Sequence, residues 1–415
     1  MANADRSPTL VSDLKLPAFD YTDADLHGPR FHATMRELRG HGWLATTPLG
    51  YVVLEREAAA FFLRSRAAEF PGMKIAELFG IADGPLYEEM RRNILHINGA
   101  DHARLRGLVN PSFTPRAAER WRPAMRAFMG ELLDAALAQP GGTVDFVSAI
   151  AKPYPSLVIA TVLGAPLQDA PRLHGWSNWV QRQFDAPTLM AERPRIERNV
   201  VELYDYLDAL LASRRDDPGD DLISQLLAAR AEDGDRLSDV ELVNLVLDVL
   251  IGGIDTTQSQ LAHTVRLLAE HPRQWSWLRE DPAGSAAAVV EEALRYEPIT
   301  PFTARILIED VEYRDVAFPR DTVLLICAHT ANRDGEPDGD AFDAGAAREA
   351  GRPLTFGAGI HYCLGANLAR AELQEGVRLI AERVAAIALD GEPAYEGVQG
   401  VYGLRSLPLQ LVAAA

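Results

Sequence analysis

Apolar positions recur at helical spacing along most of the chain, and the longest such run lies between Ser238 and Pro272. Leu242, Leu245, Val246, Val249, Leu250 and Gly253 mark one face, continued by Leu261, Val265 and Leu268. Ser238 and Glu241 stand as a serine N-cap and its reciprocal glutamate require, and Pro272 ends the run. About thirty residues at ~1.5 Å each give a helix of roughly 45 Å, enough to cross a domain. Its middle, Gly252-Gly253-Ile254-Asp255-Thr256-Thr257, suits a helix poorly. Each glycine costs about 1 kcal/mol relative to alanine, and the Thr256 hydroxyl can bond back to the Gly252 carbonyl and bend the axis. A bent point in an apolar helix offers a groove with a hydroxyl and a carboxylate at its edge.

Shorter patterns fill in the rest. Helical spacing covers Arg30 to Gly40, Ser285 to Arg295 and Ala366 to Val377, and residues 117–215 read as several amphipathic helices broken at Pro140, Pro153, Pro166 and Pro194. Gly50 to Leu54 and Val323 to Ala328 read as strands. Glycines and prolines scattered over 70–95 suit a loop over a pocket or a plain surface connection, and Arg214 to Asp221 suits an exposed loop. Residues 1–15 are expected to be a loose terminus and 16–415 one domain, mainly α with a small β-region.

Composition narrows the class. With 47% hydrophobic and 24% charged residues, the chain matches an ordinary globular protein. No run of about 18 apolar residues is present to span a membrane, and the first residues lack a signal-peptide core. Cys327 and Cys363 stand far apart, which argues for a reducing, cytoplasmic setting. A net charge of −18 argues against nucleic-acid binding.

Candidate chemistry concentrates in Phe356-Gly357-Ala358-Gly359-Ile360-His361-Tyr362-Cys363-Leu364-Gly365. Its glycines allow tight turning and close approach by a flat ligand. Cys363 precedes a helix N-terminus, a position expected to lower a thiol pKa. One thiolate in a glycine-lined loop suits a single open-faced metal, and no further cysteine pair or His-Glu-x-x-His set completes a zinc site. A buried structural thiol is the alternative. Upstream, His102 and Arg106 share a helix face and could clamp a dicarboxylate, or form a solvated basic face.

The Cys363 stretch resembles the haem-binding loop of the cytochrome P450 superfamily, Phe-Gly-x-Gly-x-His-x-Cys-x-Gly, and the likeness extends over roughly residues 30–412. The resemblance implies the cytochrome P450 fold of the soluble bacterial type, with haem b between a long distal helix and the cysteine loop. It implies Cys363 as the iron ligand, and Phe356, Gly357, His361, Gly365, His102, Arg106 and Arg305 as the cofactor's binding residues. Asp255 and Thr256 match the family's acid–alcohol pair for proton delivery, which dioxygen splitting requires. Glu292 and Arg295 match a structural Glu-x-x-Arg brace. Its third member is unsettled, because Phe342-Asp343 and Arg348 depart from the usual spacing, as do Gly335 and Pro353. Gly403 to Leu409 resembles a closing β-hairpin.

The implied activity is insertion of one oxygen atom of dioxygen into a small apolar organic substrate. Electrons would come from NAD(P)H through a separate reductase and a ferredoxin or flavodoxin-like donor, and the protein would be a monomer. Coupling, desaturation, peroxide-driven oxidation, and a non-catalytic binding or sensing role are the alternatives. Met73, Phe79, Trp176, Trp179 and Phe184 are candidate pocket residues, indicating only that the substrate is hydrophobic.

Overall fold

The computed structural model describes residues 7–232 and 237–414. The helices that position the site are α1 (Gly28–His41), α2 (Pro85–Arg92), α3 (Gly99–Val109), α4 (Ala170–Gln181) and α5 (Ala186–Asp216). They are followed by α6 (Asp239–Gly253), α7 (Asp255–Glu270), α8 (Pro282–Tyr296) and α9 (Ala366–Arg383). The main sheet contains β1 (Leu44–Thr47), β2 (Gly50–Val53), β3 (Ala68–Glu69), β4 (Phe302–Leu307) and β5 (Val323–Cys327). Its order is β1-β2-β5-β4-β3, with β2 parallel to β5 and the other pairs antiparallel. The mainly α architecture with small sheets is the expected one.

One large hydrophobic core joins α6 and α7 to the helices around them, while a smaller one packs against the sheet through Phe62, Leu307, Phe318 and Ile326. The central helix explains that arrangement. Leu242 to Leu247 and Val249 to Ile251 are all buried, so α6 has neighbours on every side. Ser238 and Glu241 form the expected capping box. The run breaks at Ile254 (φ −93°, ψ −70°), between α6 and α7. Thr256 Oγ1 donates to the Gly252 carbonyl at 2.6 Å, as the sequence predicts. Gly253 has a packing reason, since a Cβ there would lie 2.4 Å from Ile159 Cδ1.

Several expectations are corrected. The stretch over 70–95 contains a helix from Met73 to Leu78 and α2. The break expected at Pro153 is present, since Pro153 opens the helix Pro153–Leu163 at its first turn, where a missing N–H costs nothing. Pro194 does not end α5, which bends at Glu192 (φ −120°) and continues. Asp221 is buried and pairs with Arg214 at 3.1 Å, so that link is partly anchored. Of the stretch expected to be loose, residues 1–6 lie outside the described residues, and Thr9–Leu10 pairs with Val316–Ala317. The hairpin near the chain's end is formed by Ala394–Tyr395 and Leu404–Ser406, which pair antiparallel as consecutive strands, while Pro408–Ala413 pairs instead with Val384–Leu389 and Thr143–Asp145.

The brace is complete despite its altered spacing. Arg295 grips Glu292 with Nε and Nη2 at 2.7 and 2.8 Å, Arg348 Nε reaches Glu292 at 3.2 Å, and the Asp343 N–H adds 2.9 Å. Arg295 also donates to the carbonyls of Gly339 and Ala341. Both members of the Glu292–Arg295 pair are buried. Removing one partner of such a pair leaves a buried charge uncompensated. Glu292→Gln should therefore lower unfolding free energy by about 3–5 kcal/mol in urea titration; a change near zero would mean that the brace carries no stability.

Candidate active site

The cysteine loop is built from two tight turns. Gly357 and Gly359 have φ of +69° and +74°, which other residues rarely adopt. At Gly359 a Cβ would also lie 2.4 Å from the Leu63 carbonyl oxygen, so the loop is seated against the helix Arg56–Arg64. Gly365 differs: its φ is −80° and a Cβ would meet nothing within 4 Å. No protein neighbour and no backbone conformation requires a glycine there.

Cys363 N donates to the Phe356 carbonyl at 2.9 Å, and α9 begins at Ala366 with Gly365 as N-cap. The cysteine has accessible surface although protein surrounds it, so that surface faces an interior hollow. Burial pushes its thiol pKa up, against the N–H groups of Gly365 and Ala366 and the charges of Arg106 and Arg370. The lowering expected from the helix terminus is thus outweighed by desolvation. Arg370 stacks over Phe356 at 4.5 Å.

Above the loop, donors converge. Arg106 Nη2 donates to the Tyr362 carbonyl, tying α3 to the loop. His102, on the same face of α3, stands 4.5 Å from His361 between ring centroids. His361 Nε2 bonds Asn98 Oδ1 at 2.9 Å, while its Nδ1 and His102 Nε2 are buried without partners. Burial pushes the His361 pKa down to about 3, and the neighbouring bases His102, Arg305, Arg106 and His96 push the same way. Arg305, 3% exposed on β4, bonds only its neighbour's carbonyl, Ala304 O, at 2.9 Å, and burial lowers its pKa to about 10. Among the described residues, none of these four groups has a carboxylate partner. A ligand with two carboxylates fits this set, because it relieves both desolvation and mutual repulsion.

The interrupted helix contributes two groups facing different ways. Gly252 is exposed at the end of a stretch, Leu242–Ile251, that is buried apart from Asp248, so the Thr256–Gly252 bond borders the hollow. Asp255 turns toward α4, where Ser177 Oγ donates at 3.1 Å and Asn178 Nδ2 at 3.3 Å, with His174 Nε2 at 3.9 Å. Burial raises its pKa, opposed by His174, Asn178 and Ser177. A polar groove leads outward past Gln258, Arg182, Asp185 and Glu396.

Sequence reasoning named Asp255, Thr256, His102, Arg106, Arg305, Phe356, Gly357, His361, Cys363 and Gly365, and missed the groups that complete them. His96 stacks on Phe70 at 5.4 Å, and burial pushes its pKa down to about 4. His174 and Asn178 were legible only as an i, i+4 pair. Two candidate pocket residues sit elsewhere. Trp176 donates to Glu202 at 3.0 Å and Trp179 lies under Arg195 at 3.7 Å, so both are held by charged partners. Phe184 does approach His96, at 6.2 Å.

Fold and site together define a haem-thiolate oxidoreductase. The cytochrome P450 family model matches residues 50–282 and 286–381, and the chain belongs to that family. It is 36% identical over 402 residues to luteothin monooxygenase of Streptomyces thioluteus, covering 96% of this chain and 97% of that protein. It is 34% identical to cyclomarin C epoxidase CymV of Salinispora arenicola, over 92% and 95% of the two chains. The crystal structure of CalO2 superposes with a TM-score of 0.88 at 31% identity, over 96% of this chain and all of that one. The protein is therefore a P450 monooxygenase with a haem cofactor, using dioxygen, a small-molecule substrate and redox partners. No described helix is long and apolar enough to cross a membrane.

Keeping Arg305 charged at neutral pH costs roughly 3 kcal/mol, because its pKa is lower in the folded chain than in the unfolded one. That penalty is complete below about pH 10. Arg305→Leu should therefore raise the stability of the haem-free protein at pH 7 while speeding haem transfer to an acceptor globin by tenfold or more. A variant that left both unchanged would remove Arg305 from the cofactor's site.

Proposed function

We propose that this protein hydroxylates or epoxidises an apolar, medium-sized organic molecule, with haem b as the cofactor. The observation that carries the reading is the pairing of an accessible interior thiol, Cys363, with four donors that lack an anion, Arg106, His102, Arg305 and His361. In this reading Cys363 supplies the iron ligand and the four donors hold the two propionates. Phe356, Gly357 and Gly365 shape the loop beneath the ring. Bound there, haem supplies the centre at which dioxygen is activated.

The chain's own residues move the protons. Asp255, kept readily protonated by burial, takes protons from the polar groove past Glu396 and Asp185 and delivers them toward the hollow. Thr256 holds its hydroxyl at the helix break, where it can pass a proton on. This pair supports dioxygen-dependent turnover over a peroxide-driven reaction. Relatives named as monooxygenase, epoxidase and, from Nocardia uniformis, nocardicin C N-oxygenase support oxygen insertion as the reaction class. Electrons come from NAD(P)H through a separate reductase and a ferredoxin or flavodoxin-like carrier, and the protein acts as a cytoplasmic monomer, one domain over 16–415.

The carbon-monoxide difference spectrum of the reduced protein tests the assignment first. A strongly red-shifted Soret band that is lost in Cys363→Ala is expected, and a short-wavelength band in folded, haem-loaded wild type would refute thiolate ligation. Thr256→Ala should keep that band but divert most NAD(P)H electrons to peroxide or water, lowering product per electron several-fold. Full coupling would remove Thr256 from proton delivery.

A further inference from the structure

Apart from the acid–alcohol pair, the interior holds a second pair of carboxyl groups. Glu89, on α2, is fully buried. Its Oε1 accepts from Asn93 Nδ2 at 2.8 Å, and its Oε2 has no partner. Asp248, on α6, accepts from the Ile94 N–H at 3.0 Å through Oδ2, while its Oδ1 is buried and unpartnered. The two carboxyl groups therefore grip consecutive residues, Asn93 and Ile94, which brings them together.

Two features aim the pair at the hollow. Asp248 precedes Gly252 by one helical turn and shares its face. Between Leu242 and Gly252 of α6, Asp248 is the one residue besides Gly252 that is not buried. Gln183, 1% exposed, lies beside Glu89: its amide NH2 donates to the Val180 carbonyl at 3.2 Å and also favours the charged Glu89, while its Oε1 has no partner.

No protein cation answers these acceptors. Arg91 and Arg92 are both drawn to Glu88, at 2.6 and 2.8 Å, and His96 is held neutral by burial. Tyr204 donates to Asn244 rather than to the pair. Among the described residues, neither Glu89 nor Asp248 forms an ion pair. Burial pushes the Glu89 pKa up to about 7, and burial together with the nearby Glu89 carboxylate pushes that of Asp248 well up, so a cation between them offsets the cost of charging both.

We propose that Glu89 and Asp248 anchor a cationic nitrogen group, ammonium or guanidinium, on an otherwise apolar substrate. The proposal rests on the reading of the hollow as the substrate site. It narrows the substrate class from apolar molecules in general to apolar molecules carrying one basic group, held away from the carbon that is oxidised.

The test is equilibrium dialysis of the haem-loaded protein against matched probes. These are arylalkylguanidines of several chain lengths with their uncharged ureas, and N,N-dimethylarylalkylamines with their carbon isosteres. The cations should bind at least tenfold more tightly than their neutral partners. Glu89→Gln and Asp248→Asn should each reduce that ratio, and the double variant should bring it near one with its carbon-monoxide spectrum unchanged. No cation preference in wild type at any chain length, or a preference that survives in the double variant, overturns the anchor. The two readings fail separately. Cation binding without product formation would break the monooxygenase assignment alone, whereas oxidation of neutral probes without cation preference would break the anchor alone.

Discussion

Burying positive charge without its partner is the constraint on which this structure turns. Arg305 and Arg106 lie in the interior with His102 and His361, and burial lowers the pKa of each. The chain tolerates that only because the surrounding frame is stiff. Glu292, Arg295 and Arg348 fix the segment before the cysteine loop, and Arg106 ties α3 to the loop itself. The same logic recurs across the hollow with the sign reversed, at Glu89 and Asp248.

The central helix shows how one element serves two environments. Leu242 to Leu247 and Val249 to Ile251 are buried, yet the break at Ile254 releases the Gly252 carbonyl to the Thr256 hydroxyl and turns Asp255 toward α4. An unbroken helix would leave Asp255 near the face of Asp248, since seven residues make nearly two turns. The interruption separates a proton-handling carboxyl from one that faces the hollow.

Much of this was legible in the sequence, for identifiable reasons. The capping box at Ser238, the Thr256 back-bond and the helix after Gly365 all follow from local rules acting within four residues, and all three form as expected. Cys363 and its glycines were readable because the loop is one continuous stretch. What stayed hidden depends on distance in the chain. Arg348 reaches Glu292 from 56 residues away around an altered meander, and His174 meets Asp255 from another helix. The raised thiol pKa of Cys363 was misjudged because a helix terminus is visible in sequence and desolvation is not. Pro194 likewise reads as a stop, although neighbouring turns of α5 carry the helix through it.

The glycines of the cysteine loop also bear on how such a chain changes over evolutionary time. Gly357 and Gly359 are required by backbone conformation, and Gly359 by the Leu63 carbonyl as well, whether or not a cofactor binds. Gly365 has neither requirement. A lineage that abandoned its cofactor would keep the first two glycines to preserve the fold, while Gly365 and Cys363 drifted. Of the motif's three glycines, Gly365 is the one whose retention the folded backbone does not itself demand.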